Sequence, residues 1–289
     1  EEHISTTLHE MTHVLGFSTS LYELYIDPAT GVPLQGHIKE ATFKNMTVFI
    51  LDVKPLTEKL RRYFECDRII GGYLEDEGRP GSAGSHWERR LFYNEYMTSS
   101  DVADPRMSEF TLALLEGTGW YQVNYEVAEP LFWGKGKGCA FIVEDCIDNE
   151  TFLPNFDEFC SPIGADGCTF TGRAMGYCGT LETLIDTNLN LEFNYWNNLT
   201  VVDDLFSNNC PYYVDYVNAD CENPAHAYVA KVGAEKFGPG SKCFTGNFAP
   251  GGNFETRFPY CLRYYCEFSY PAENRDRLSE YYMQCCRSY

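Results

Sequence analysis

The sequence predicts a mixed α+β fold with a disulfide-rich C-terminal region, on three observations. Residues 2–15 carry Ile4, Leu8, Met11 and Leu15 at 4-3-4 spacing, the single apolar stripe of an amphipathic helix. "TVFILDV" (residues 47–53) is an apolar, β-branched run of strand length. Twelve of the thirteen cysteines follow residue 130, where aromatics are dense and periodicity is poor.

The first helix is expected to stop at Gly16. Within it, His9 and His13 lie about 150° around from the apolar stripe, at roughly 100° per residue. One face therefore needs a core, and the opposite face presents two imidazoles. Residues 17–85 read as a mixed segment. In "KPLTEKLRRYFEC", Pro55 suits the first turn of a short helix. "EGRPGSAGSHW" (77–87) is a glycine-rich turn region leading to His86. "SEFTLALLEGTGWY" (108–121) predicts a buried helix capped by Ser108 and ended by Gly117 or Gly119. After "GKGKG" the texture changes, and a boundary is expected near 130–138. "CAFIVEDC", "FCSPIGADGCTFTGRAMGYC" and "CLRYYC" read as loops and short strands stapled together. No internal repeat stands out.

A formal charge of −20 argues against nucleic acid or anionic lipid as a partner. No apolar run approaches the roughly 18–20 residues of a membrane helix. The cysteine content indicates an oxidising compartment, and sequons at Asn45, Asn149 and Asn198 agree with secretion. The start has no leader pattern, so a secretory signal lies upstream of this numbering or is absent. An odd cysteine count leaves at least one free or bonded elsewhere. Cys66, alone before residue 130, is the expected one to pair outside this chain. His37 is expected at the surface and His226 to be structural. No CxxC pair occurs, so a disulfide scaffold is preferred to a second metal site.

"HEMTHVLGF" (9–17) concentrates the chemistry. His9 and His13, one turn apart on one helical face, can reach the same zinc ion. Glu10 is placed to take a proton from a water at that ion. A third ligand is still needed. Thr19, three residues after Gly16, is a poor one, which leaves His37, His86 and His226. Met97 follows His86 by eleven residues, in "NEYMTSS".

In order, "HEMTHVLGF", a long insertion, "GSAGSHW", the Met97 turn, "LLEGTGWYQVNY", "WGKGKGCAF" and "GCTFTGRAMGYC" resemble the leishmanolysin family of metzincin zinc proteases over nearly the whole chain. The resemblance implies a metzincin-type fold. Residues 1–16 would end an N-terminal catalytic subdomain, 17–137 form a central subdomain, and 138–289 a cysteine-rich C-terminal domain. It implies one catalytic zinc ion held by His9, His13 and His86, with Glu10 as general base and Met97 in a tight turn. The turn departs from the family's Glu-Leu-Met-Ala-Pro. The implied function is endopeptidase action on proteins or peptides, outside the cell or at its surface. The rival is a catalytically silent structural or adhesive protein that retains the fold. The apolar stripe of the first helix further implies an upstream, sheet-bearing segment of the same precursor beneath it.

Overall fold

The computed structural model describes residues 2–44, 46–76, 81–99, 104–179, 195, 205–247, 258–265 and 287–288. Helices and sheets are mixed, as the α+β expectation requires. The chain divides into two compact units, residues 1–161 with 180–211, and residues 162–179 with 212–289.

In the first unit, α1 (Glu2–Leu15) leads through residues 16–37, which include a 3-10 turn at Tyr22–Leu24, to a three-stranded antiparallel sheet. Its strands are β1 (Ile38–Phe43), β2 (Met46–Leu51) and β3 (Gly72–Tyr73). Val48, Ile50 and Leu51 of β2 are buried, which gives the apolar run its place. Between β2 and β3 lies α2 (Lys54–Phe64), with Pro55 in its first turn and Glu65 closing it in the left-handed region. Leu56, Leu60, Tyr63 and Phe64 are its buried face.

After β3 come α3 (Arg89–Phe92) and α4 (Glu109–Gly117). The Ser108 hydroxyl caps α4 by accepting from the Phe110 N–H. Gly119, with φ +77°, carries the chain away; a Cβ there would meet the Ile26 carbonyl oxygen at 2.1 Å. Helix α5 (Gly138–Val143), the last α-helix among the described residues, occupies "GCAFIV", which the sequence suggested was loop or strand. Phe141 explains the difference. Its fully buried ring stacks between Phe64 and Phe159, so tertiary packing selects the helical turn.

Two expectations fail in this unit. Cys66 is bonded to Cys139, so it does not pair outside this chain. The turn after α2 brings it beside the start of α5. His37 is buried: its ring stacks on Tyr25 and its Nε2 donates to the Tyr22 carbonyl. All ten described cysteines are disulfide-bonded, so the odd one falls among Cys266, Cys285 and Cys286, which lie outside the described residues.

The second unit holds two three-stranded antiparallel sheets. One contains β4 (Asp166–Cys168), β5 (Ala174–Gly179) and β6 (Tyr212–Asp220). The other contains β7 (Ser241–Gly246), β8 (Phe258–Tyr265) and β9 (Arg287–Ser288). Cys168–Cys243 and Cys221–Cys261 staple the sheets to each other. Arg173 grips Asp220 through Nε and Nη2 at 2.8 and 2.9 Å, closing the β5–β6 pair at one end. No helix among the described residues is long and apolar enough to cross a membrane.

Candidate metal centre

His9 and His13 project from adjacent turns of α1. Two backbone bonds, from the Gly16 and Phe17 N–H groups to the Thr12 carbonyl, end that helix. Gly16 is not in the left-handed region. Its value is closeness, since a Cβ would meet the Thr118 methyl at 3.1 Å. The buried Phe17 ring then packs on Trp87, centroids 4.6 Å apart. This contact joins the end of the zinc-motif helix to the residue after His86.

The insertion between the two motifs builds the mount for His86. Leu74 bridges Trp87 in antiparallel fashion just beyond β3, with the Glu75 N–H donating to the His86 carbonyl. On its other side, Trp87 donates its N–H to the Met97 carbonyl and bridges Thr98 in parallel fashion. Tyr22 pins the glycine-rich turn through its hydroxyl, which donates to the Gly84 carbonyl at 2.7 Å. His86 thus stands on an extended stretch held from both edges.

The three ligand atoms converge. His9 Nε2 lies 3.0 Å from His86 Nε2 and 3.1 Å from His13 Nε2. Two nitrogens at zinc–nitrogen bonds of 2.0–2.1 Å in a tetrahedron would be about 3.3 Å apart. Each ring also turns its Nδ1 toward a backbone carbonyl: His9 to Tyr96, His13 to Phe17 and His86 to Ser82, at 2.7, 2.8 and 2.9 Å. A carbonyl can only accept, so Nδ1 carries the hydrogen and Nε2 presents its lone pair. Burial, opposed by the Ser82 carbonyl and assisted by the neighbouring His13 and His9, pushes His86 down to about 4. It is therefore neutral near pH 7. Three lone pairs aimed at one point repel one another unless a cation lies among them, and a borderline-soft divalent ion suits an all-imidazole set.

Glu10 follows His9 with an exposed side chain. Met97 is fully buried at the third position of a tight turn closed by the Thr98 N–H donating to the Glu95 carbonyl. The segment carrying this turn meets the histidine side of α1, through Tyr96 to His9 and Thr12. His226 is elsewhere, accepting at Nδ1 from the Asp220 N–H. Sequence reasoning missed Glu95 and the three backbone carbonyls that accept from the imidazole Nδ1–H groups. Backbone acceptors leave no residue signature; Glu95, the one acidic residue in "NEYMTSS" and two residues before Met97, could have been noticed.

A second group, Glu75, Asp76 and Glu88, also brings carboxylate oxygens within 4.8 Å of one another. The buried guanidinium of Arg90 lines a cavity with Asp76 and Glu88, and Glu88 helps to hold it charged.

The sequence model of the leishmanolysin family matches residues 1–287. The chain is 32% identical to a leishmanolysin-like peptidase of Drosophila pseudoobscura pseudoobscura, covering 83% of this chain and 44% of that protein. It is 36% identical to a leishmanolysin-like peptidase of Caenorhabditis elegans, over 56% of this chain and 30% of that one. Against leishmanolysin of Leishmania major the identity is 27%, over 84% of this chain and 39% of the relative. The chain thus spans less than half the length of each of these relatives. With nearly every residue inside the family match and the family's ordered motifs in place, the chain belongs to the leishmanolysin family.

Proposed function

We propose that this chain forms the metal-binding part of a zinc-dependent endopeptidase acting on proteins or peptides. His9, His13 and His86 hold one zinc ion through Nε2, Glu10 is the general base, and Met97 forms the turn beneath the ligands. The convergence of three Nε2 atoms, each set by an anchored Nδ1, is the observation that carries this reading. Bound zinc would supply a Lewis acid that lowers the pKa of a water toward about 7. The Glu10 carboxylate takes the proton from the attacking water and delivers it to the departing amine. In domain terms, residues 1–16 end the N-terminal catalytic subdomain, 17–137 form the central one and 138–289 the cysteine-rich domain. An oxidising, extracellular or cell-surface location suits the disulfides and the exposed sequon residue Asn149.

Chelation should abolish hydrolysis of a quenched fluorescent peptide library by the purified full-length protein, and one equivalent of zinc should restore it. A folded, zinc-loaded protein that cleaves nothing in the library would instead favour the silent structural or adhesive reading.

The proposal includes an upstream segment of the same precursor, in metzincin fashion a sheet, packed on α1. Ile4, Leu8, Met11 and Leu15 are 66%, 37%, 52% and 36% exposed, all on the stripe away from the histidines. Covering such side chains contributes on the order of 1.5–3 kcal/mol each. In the assembled full-length protein, Met11 should resist peroxide oxidation as the buried Met97 does. In residues 1–289 expressed alone it should oxidise readily. Equal rates of Met11 oxidation in the two would remove the segment from the proposal.

A further inference from the structure

Glu95 is a fully buried carboxylate that the reaction itself does not use. Four donors surround it. Its Oε2 accepts from the Met97 N–H at 2.6 Å. Its Oε1 accepts from the Ser108 N–H and hydroxyl at 3.4 and 2.8 Å, and from the Thr111 hydroxyl at 2.6 Å. The direction of these bonds follows from chemistry. Trp87 Nε1–H can only donate, and it donates to the Thr111 oxygen at 2.9 Å, so the Thr111 hydrogen goes to Glu95. The Ser108 oxygen accepts from the Phe110 N–H, so its hydrogen also faces Glu95.

The turn that Glu95 organises touches both halves of the ligand set. The Tyr96 carbonyl orients His9, and the Tyr96 hydroxyl lies 2.8 Å from that of Thr12, beside His13. The Met97 carbonyl holds the backbone of Trp87, and the Thr111 relay holds its indole. We infer that Glu95 is a positioning residue for the candidate zinc site: its carboxylate fixes the 95–97 turn and, through Thr111, Trp87, so the places of His9 and His86 depend on it. This rests on the zinc reading above.

The ionised carboxylate is the species these donors fit. Burial pushes Glu95 up to about 7, while the bonds from Thr111, Met97 and Ser108 pull against that rise. A glutamine cannot substitute, because its amide N–H₂ would confront a donor at whichever oxygen position it took. Partners bonded directly to a ligand, as the Tyr96 carbonyl is to His9, typically govern metal affinity by about 10–100-fold, and Glu95 acts through the turn that carries this one.

The test compares Glu95→Gln, Thr111→Val and His86→Ala in the full-length protein. Zinc affinity is measured by chelator competition, the visible spectrum of the cobalt-loaded protein reports ligand geometry, and melting of the metal-free protein reports the fold. Glu95→Gln should weaken zinc about 10–100-fold and shift the cobalt bands at temperatures where the metal-free protein is fully folded. Thr111→Val, which cuts only the relay to Trp87, should weaken zinc by a smaller factor, and it decides the matter if Glu95→Gln does not fold. Zinc affinity within twofold of the parent in the deciding variant, with affinity lost in His86→Ala, overturns the role of Glu95 and leaves the zinc site standing. Unchanged zinc binding in His86→Ala overturns both.

Discussion

Replacing Glu10 by alanine should lower peptide cleavage by about 10²–10⁴-fold while one zinc ion per chain stays bound, because removal of a general base costs that much. The side chain is exposed on a helix and alanine is the best helix former, so the fold has little to lose. The imidazoles keep their carbonyl anchors, none of which involves Glu10. His86→Ala makes the contrasting case. It removes one of three ligands, so zinc and activity should fall together. Metal content by atomic absorption and initial rates on one peptide separate the two variants. Glu10→Ala with parental activity would sink the general-base assignment. Loss of zinc in Glu10→Ala would make Glu10 part of the ligand scaffold instead.

The helix carrying these residues was legible in the sequence because all its signals are local. A 4-3-4 stripe and a histidine pair one turn apart need no tertiary information, and α1 spans Glu2–Leu15. Pro55 at the start of α2 and Ser108 as the cap of α4 are local signals too, and both stand where expected. What failed depends on distant partners. Cys66 is far in sequence from the other cysteines, yet the chain folds it onto Cys139, 73 residues on. His37 is polar and lies in "LQGHIKE", with no apolar run around it, but Tyr22 and Tyr25 bury it. β1 is half-exposed and gains strand structure from pairing with β2, Ile38 opposite Leu51 through Phe43 opposite Met46. At the candidate site, the residue types that bind metal were visible. The carbonyls of Phe17, Ser82 and Tyr96 that set their tautomers were not, since every residue has one.

Breaking the Cys221–Cys261 bond, by Cys221→Ala with Cys261→Ala, should unfold the second unit and leave zinc binding intact. One buried apolar cluster of this unit, among the described residues, consists of Met175, Ala219, Cys221, Cys243 and Cys261, with Cys168, Val229 and Phe237 packed against it. Sulfur atoms thus supply much of what a larger domain builds from leucine and phenylalanine, and small cores of this kind depend on cross-links. The bond closes a separation of 40 residues, which the chain-entropy estimate values at about 4 kcal/mol. It also lies within the register of the second sheet, where Cys261 faces Cys243 across β7 and β8. Removing it loosens the attachment of β8 to the end of β6, and leaves Cys168–Cys243 as the remaining staple between the sheets among the described residues. A loss near 4 kcal/mol is a large fraction of the roughly 5–15 kcal/mol by which whole domains are stable. The histidine cluster belongs to the other unit, whose own bonds Cys66–Cys139 and Cys146–Cys210 are untouched. Hydrogen exchange resolved by peptide should show protection lost across residues 212–220, 241–246 and 258–265 and kept across residues 54–64 and 109–117. Chelator competition should return the parental zinc affinity. Retained protection in β6, β7 and β8 would mean that the apolar cluster holds without its cross-link. Zinc lost together with that protection would mean that the two units do not fold separately.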